Sequence, residues 1–433
     1  MSTTTKKMGF WQCWGMSVGV MIGSGIFLLP AVLAPYGWIS LLGWLLTSAG
    51  TIVLALVLAR LAGTTDRAGG PYAYVRDSFG DLAGFLIGWG YWVGVVFGVT
   101  AIAVGFAGYM GAVFPIFAAN SFTQALVAAA GIGALTWVNV KGVSEAASVQ
   151  LALTILKIIP LVVIICLGIV YGDIDNFPSF NPQGLPISQA LATTALLTMW
   201  AFIGIEAAVI PTVDVKNPKK IVPIAVVSAA LSVSFLYIAA STAVMFLVPS
   251  DILAVSESPF VDAAAHMGTG GALLIGVGAL ISTAGALNGN IFVMGQMAMA
   301  VAADGLAPAV IAKKNRGGAP AGVLIVSSVF STALLALNFT DGLIGAFSFL
   351  ISMSTLSILA PYGLSAVAEF KRSWRSAKGW AGVALLAVIY TLIAIAGSGL
   401  YILLLGVGLF LLGIPLFKVF RRTTEATKET LVR

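Results

Sequence analysis

Two charged residues stand inside apolar segments of this chain, and each sits where chemistry is conceivable. Glu206 is the only carboxylate near the middle of an apolar run, and Lys157 is the only basic residue inside one. A charge at bilayer depth costs about 2.5–3.5 kcal/mol even on insertion scales, and such residues concentrate on substrate, ion and proton paths. Glu206 closes the stretch Trp200-Ala201-Phe202-Ile203-Gly204-Ile205-Glu206, whose glycine weakens a helix. A comparable weak point, Met21-Ile22-Gly23-Ser24-Gly25-Ile26-Phe27, sets two glycines around a serine where lipid demands a continuous helix. Breaks of this kind free N–H groups on one half-helix and C=O groups on the other, so an anion and a cation can be held side by side. The α-carboxylate and α-ammonium of an amino acid are such a pair. Glu206 is then a candidate proton site. The Lys157 ammonium is a candidate for the place where a sodium ion would otherwise bridge carbonyls of the first break, or for a group that releases a proton during a working cycle. Glycine packing contacts and simple kinks are the competing explanation of both breaks.

The elements that must position these residues follow from composition. Hydrophobic residues make up 59% of the 433 and charged residues 9%, with a mean hydropathy of +1.04. That is too apolar for a soluble core and surface combined. The apolar runs, at about 20 residues, are long enough to cross a hydrocarbon layer of about 30 Å as helices. They lack the alternation of a membrane barrel. The expected fold is an all-α membrane protein of twelve transmembrane helices over 11–34, 40–62, 82–114, 122–139, 147–171, 189–212, 222–248, 272–303, 320–338, 342–370, 379–396 and 399–420. Of the 22 Lys and Arg residues, all but Lys157 fall on one side of that threading, from Lys6 and Lys7 through Arg60, Lys141 and Lys216 to the tail. The positive-inside rule puts that side, and both termini, in the cytoplasm. The two breaks lie five spans apart, so their helices run in opposite directions, as in two five-helix repeats of inverted topology with discontinuous helices 1 and 6. Residues 1–10 are then a cytoplasmic N-terminus, 11–171 and 189–370 the two repeats, 379–420 helices 11 and 12, and 421–433 a cytoplasmic tail. Span 3 repeats small residues at Gly84 and Gly88 and at Gly90, Gly94 and Gly98, a pattern that lets a neighbouring helix approach closely.

Other function classes find little support. Cys13 and Cys166 fall inside apolar segments, offer no metal-ligand spacing and are expected to be buried thiols. The single histidine, His266, lies near the outer end of span 8 and is expected to be interfacial. With no H-E-x-x-H, no G-x-S-x-G and no Cys/His spacing, no metal, cofactor or membrane-enzyme chemistry is indicated. The net charge of +6 is scattered between apolar segments and gives no basic face for nucleic acid. A channel finds no charged ring or carbonyl-rich filter sequence. A nutrient receptor that does not transport would use the same pocket.

Several motifs in chain order resemble the amino acid–polyamine–organocation superfamily. They are the Gly23-Ser24-Gly25 break, Gly69-Gly70-Pro71-Tyr72-Ala73-Tyr74, the run from Trp200 to Glu206, Lys216-Asn217-Pro218-Lys219-Lys220 with Pro223-Ile224-Ala225, and Ala303-Asp304-Gly305-Leu306 with Pro308. Within it they are similar to the bacterial arginine/agmatine antiporter and its basic amino acid/polyamine antiporter relatives, over nearly the whole chain. The resemblance implies a LeuT-like 5+5 inverted repeat in the inner (cytoplasmic) membrane. It implies a secondary transporter of an amino acid or amine with no cofactor, partnered by membrane lipid and open to a homodimer. It also implies site roles. Ser24 with the amides of Gly23 and Gly25 would hold the substrate carboxylate, with Ile22 beside them. The carbonyls of Trp200, Ala201 and Ile203 would take the ammonium. Trp200 would gate, Glu206 would sense protons, and Ser354 and Tyr362 would line and gate the path.

Departures from that antiporter bear on specificity. Val20 replaces the Asn before its first break, its span 3 polar pocket is replaced by Gly94, Val95, Val99 and Ile102, and Asn290, near Asn288, replaces the tryptophan that stacks on guanidinium. A guanidinium thereby loses its cation–π partner. Lys157 is similar to the span 5 lysine of sodium-independent neutral amino acid transporters in the superfamily. The expectation is a sodium-independent carrier working by alternating access, as exchanger or proton-coupled carrier, leaning to neutral or small amino acids, with an arginine/agmatine-type or other cationic antiporter as the alternative.

Overall fold

The computed structural model describes residues 8–63, 70–141, 146–209, 215–316, 318–338 and 342–432, leaving aside the side chains of 146–153, 208, 337–338 and 422–432. Lys6, Lys7, Arg67 and the Gly69 of the glycine-proline stretch lie outside these. The first span divides into α1 (Phe10–Met21) and α2 (Ser24–Leu33). Gln12 reaches back at 2.8 Å to the Gly9 N–H and closes the start of α1. After α3 (Ile39–Ala62) comes the short α4 (Pro71–Phe79), entered at Gly70 with φ 53° and left at Gly80 with φ 87°. Proline at its first position supplies a preset φ where no N–H partner is needed. Then follow α5 (Asp81–Val113), α6 (Ser121–Lys141), α7 (Ala146–Tyr171) and α8 (Ile187–Trp200). The second half comprises α9 (Pro218–Leu247), the short α10 (Ser250–Leu253) and α11 (Pro259–Ala263), then α12 (Gly268–Ala303), α13 (Ala321–Asn338), α14 (Gly342–Ser373), α15 (Lys378–Ala396) and α16 (Gly399–Val432). Among the described residues the one extended pairing is a parallel bridge between Met8 and Val215.

Eleven helices among the described residues are long and apolar enough to cross a membrane. The expected ninth span is a shorter apolar helix, Ala321–Ala336. The expected tail from 421 onward continues as helix to Val432, since nothing in its sequence breaks the ladder begun at Gly399. Cys13 is buried, but Cys166 is exposed on α7, correcting the expectation of two buried thiols. Cys166 stands about two and a half turns beyond the buried Lys157 and so faces the opposite side of α7.

The glycines of α5 are where neighbouring helices come closest. A Cβ on Gly94 would lie 2.6 Å from Ile358 and one on Gly98 3.1 Å from the Ser354 hydroxyl, both on α14. Gly88 meets Val301 of α12 in the same way. The face bearing the basic residues is tied by ion pairs. Arg60 Nε lies 2.6 Å from Glu369, and Arg76 joins Asp304 at 2.6 Å and Asp81 at 2.9 Å. The Tyr72 hydroxyl donates to Asp304 at 2.9 Å, and burial first, then that bond, pushes its ionisation well above the usual phenol range. On the opposite face exposed His266 stacks on Tyr171, ring centroids 5.3 Å apart.

Candidate functional site

At the first break the α-helical ladder ends with Met21. Ile22 is extended (φ −74°, ψ 96°), and α2 restarts at Ser24 with no side chain capping it. A short segment in the bilayer therefore presents the carbonyl end of one half-helix beside the N–H end of another. The carbonyl end is occupied. Lys157 Nζ donates to the Gly19 carbonyl at 3.0 Å and the Ile22 carbonyl at 3.3 Å, and it is 1% exposed. The Tyr237 hydroxyl donates to the Met21 carbonyl at 2.6 Å. The N–H end is different. The Ser24 hydroxyl is fully buried and has no hydrogen-bond partner. Gly25 leaves room for the Trp200 indole, which a Cβ there would meet at 2.9 Å.

At the second break α8 stops at Trp200, a run of turns follows, and Gly204 adopts φ +110°. That conformation strains any residue with a Cβ, and one built there would also strike Val20 of α1 at 2.5 Å. The turn aims Glu206 back at its own backbone. Its carboxylate accepts from the Gly204 N–H at 3.0 Å, from the Tyr91 hydroxyl at 2.6 Å and from the Tyr362 hydroxyl. Three donors converge on one buried acid, so the isolated charge expected from the sequence is embedded in a polar cluster that joins the second break to α5 and α14. Ser17 of α1 donates to the Ile205 carbonyl at 3.3 Å and ties the two breaks together.

Between the breaks lies a small pocket. Of the residues singled out in the sequence, Gly23, Ser24, Gly25, Val95, Trp200, Ala201, Ile203, Asn290 and Ser354 line it. Ile22 and Gly94 do not. The Ile22 carbonyl is taken by Lys157, and the Gly94 carbonyl accepts from Ser354 at 2.7 Å. Lys157, Glu206 and Tyr362 stand one layer behind the wall, so no charged side chain is among the lining residues. Two of the three carbonyls expected to receive an ammonium already accept a bond. That of Trp200 takes the Ile203 N–H at 3.2 Å, and that of Ala201 takes the Tyr237 hydroxyl at 3.2 Å. Each carbonyl keeps a second lone pair. Trp200 packs edge-on against Phe347, ring centroids 5.4 Å apart.

Sequence reasoning did not single out Tyr91 and Tyr237, and both belong to this site. Their signal was available. A tyrosine hydroxyl inside an apolar helix has to find a partner within the protein.

Residues 8–418 match the family model for amino acid permeases. The cadaverine/lysine antiporter of Escherichia coli strain K12 is 31% identical, over 84% of this chain and 83% of that protein. The putrescine transporter PotE of Haemophilus influenzae is also 31% identical, over 85% of each chain. Both relatives are transporters by name, which agrees with the lack of enzymatic motifs here. With the glycine-broken spans, the buried acid and the match over nearly its full length, the chain belongs to the amino acid permease family of the amino acid–polyamine–organocation superfamily.

Proposed function

We propose that this chain is a sodium-independent antiporter of the cytoplasmic membrane that exchanges an amino acid with a cationic side chain, or an amine of the same kind, by alternating access. The observation that carries the reading is the buried, unpartnered Ser24 hydroxyl at the uncapped start of α2, facing the same cavity as the end of α8. A helix N-terminus with free N–H groups attracts a carboxylate, and carbonyls at a helix C-terminus attract an ammonium. The named substrates of the two relatives, cadaverine, lysine and putrescine, are cationic, and they replace the lean to neutral amino acids drawn from Val20 and Asn290. Loss of a stacking tryptophan removes one way of holding a guanidinium; it does not exclude a flexible ammonium, which needs oxygen acceptors rather than a flat aromatic face.

In this reading substrate sits between the breaks, Trp200 closes over it from outside, Tyr362 with Glu206 gates the path on the cytoplasmic side, and one helix bundle rocks against the rest. Lys157 holds the carbonyl end of α1 as a fixed cation, which removes the need for sodium. Glu206 links the cycle to proton concentration. The bias of Lys and Arg to one face supports cytoplasmic termini. The test is uptake of labelled lysine into proteoliposomes of the purified protein, loaded or not with lysine or cadaverine, with sodium or potassium outside. Uptake that depends on internal substrate and ignores sodium is expected. Conductance at channel rates, dependence on sodium, or uptake of alanine with none of lysine would overturn it.

A further inference from the structure

On the face bearing the basic residues, Arg60 and Arg76 are each matched to a carboxylate, but a second group of cations is not. Lys141 ends α6, and Lys313, Lys314 and Arg316 stand in the connection from α12 to α13. All four are exposed, and none of them pairs with an acid among the described residues. Asp304, which follows α12, is already held by Arg76.

Asn315 joins the two segments. Its Nδ2 donates at 2.6 Å to the carbonyl of Val140, the residue before Lys141 at the open end of α6. Its Oδ1 accepts from the Ala319 N–H at 3.0 Å, and its own N–H donates to the Ala319 carbonyl at 2.8 Å. The loop is therefore fixed as a turn against α6, with the three loop cations flanking the anchoring residue. Apolar surface adjoins them. Lys141 Nζ lies 3.5 Å from the centroid of the Trp137 ring, and Val310, just ahead of the lysines, is 71% exposed. Trp137, Leu126 and Phe122 are all more than half exposed and share one side of α6, so that side faces lipid.

We propose that Lys141, Lys313, Lys314 and Arg316 form a site for the headgroup of an anionic phospholipid of the cytoplasmic leaflet, whose acyl chains run along Trp137 and the outer side of α6. The occupant follows from the two halves of the surface. Unpaired cations call for an anion, and the apolar strip continuous with them calls for hydrocarbon. A small soluble anion meets only the first demand, and a zwitterionic lipid brings a positive charge of its own to a positive patch. Arg316 can hold a phosphate through two parallel bonds while the lysines act as point charges. Because Asn315 already fixes the loop, little freedom is lost when the headgroup arrives. The site lies outside the pocket between the breaks and does not depend on which substrate that pocket takes.

The experiment counts lipid retained by the purified full-length protein in native mass spectrometry, after incubation in detergent with phosphatidylglycerol or phosphatidylcholine of identical chains. The unaltered protein is expected to retain phosphatidylglycerol over phosphatidylcholine by about tenfold, since each Lys or Arg near an anionic surface contributes several-fold. Combined Lys313→Gln, Lys314→Gln and Arg316→Gln should bring that preference within about twofold. Combined Lys216→Gln, Lys219→Gln and Lys220→Gln removes the same charge from another loop and should keep it. Lys141→Gln, on a separate element, should lower the preference part of the way and repeats the test should the loop variant fail to fold. Equal retention of the two lipids by the unaltered protein, an unchanged preference in both the loop variant and Lys141→Gln, or an equal fall in the two triple variants would overturn the site. Displacement of phosphatidylglycerol by millimolar inorganic phosphate would assign the cations to a free anion and overturn the lipid.

Discussion

The Tyr237 hydroxyl stands 2.6 Å from the carbonyl of Met21, the last helical residue before the first break, and 3.2 Å from the carbonyl of Ala201 at the start of the second. One group on α9 thus touches both interrupted spans. Its ring is held against Trp44 and Phe202, with centroids 5.5 Å and 5.4 Å away, so the hydroxyl is placed by packing before it bonds. Tyr237→Phe keeps the ring and removes the tether. A buried hydrogen bond contributes about 0.5–1.5 kcal/mol net, so the melting temperature should fall only slightly while uptake slows several-fold. Unchanged uptake kinetics in a correctly folded Tyr237→Phe protein would show that the hydroxyl serves stability alone.

Lys157 is the sharper case, because its ammonium serves the Gly19 and Ile22 carbonyls from a position that is 99% covered. Lys157→Ala strands both carbonyls in a dry interior, at about 1–3 kcal/mol for each unsatisfied group. Transport should be abolished or slowed. Undiminished uptake would remove Lys157 from the mechanism. Gly285 of α12 gives an independent check, since a Cβ there would lie 3.2 Å from Nζ and 3.1 Å from Cε. Gly285→Ala should therefore reproduce part of the Lys157→Ala defect with no change of charge.

Asn217 holds φ 48° and ψ 60° at the entry to α9, and among the described residues it is the one non-glycine with positive φ. Its side chain caps nothing, so the reason for asparagine is its tolerance of the left-handed region. Asn217→Gly should leave stability within a few tenths of a kcal/mol, whereas Asn217→Val should cost about 1–2 kcal/mol. Thermal unfolding in detergent compares them. Equal melting of the two variants would mean that the αL turn is not sustained in solution.

The parts of this arrangement legible in the sequence are those that depend on one residue and its neighbours in the chain. Gly204 marks a turn because its backbone needs φ +110°, and Gly23 marks a break because no side chain stiffens it. Most helix ends from Asp81 to Ala396 fall within a few residues of where hydropathy places them, but α8 stops at Trp200 although the expected span runs on to 212. What stayed hidden depends on rotation about helix axes. On α5 the polar residues Tyr91 and Thr100 stand too far apart to mark a face, so nothing in its sequence reveals that Tyr91 turns toward Glu206; on α9 Tyr237 shares a stripe with Ser234 and Ser241, but that stripe does not name Met21 as its partner. Nor does a local reading show that the Gly94 carbonyl is spent on Ser354, because that bond joins two helices far apart in the chain.

Glu206 joins these strands, because its cluster decides whether the second break can answer to protons. The carboxylate accepts from Tyr91, Tyr362 and Gly204 and donates to none of them while ionised. Glu206→Gln retains shape and one acceptor oxygen, and its NH₂ faces a hydroxyl that can rotate to accept, so the fold should survive. The variant can no longer exchange a proton. If transport is coupled to pH through this acid, uptake by Glu206→Gln should vary little across a pH series in which uptake by the unaltered protein changes several-fold. Tyr91→Phe and Tyr362→Phe each remove one donor and should shift the midpoint of the profile without flattening it. A profile identical to the unaltered protein's in Glu206→Gln would assign pH dependence to another group and leave Glu206 as the knot that ties α5, α14 and the Gly204 turn together.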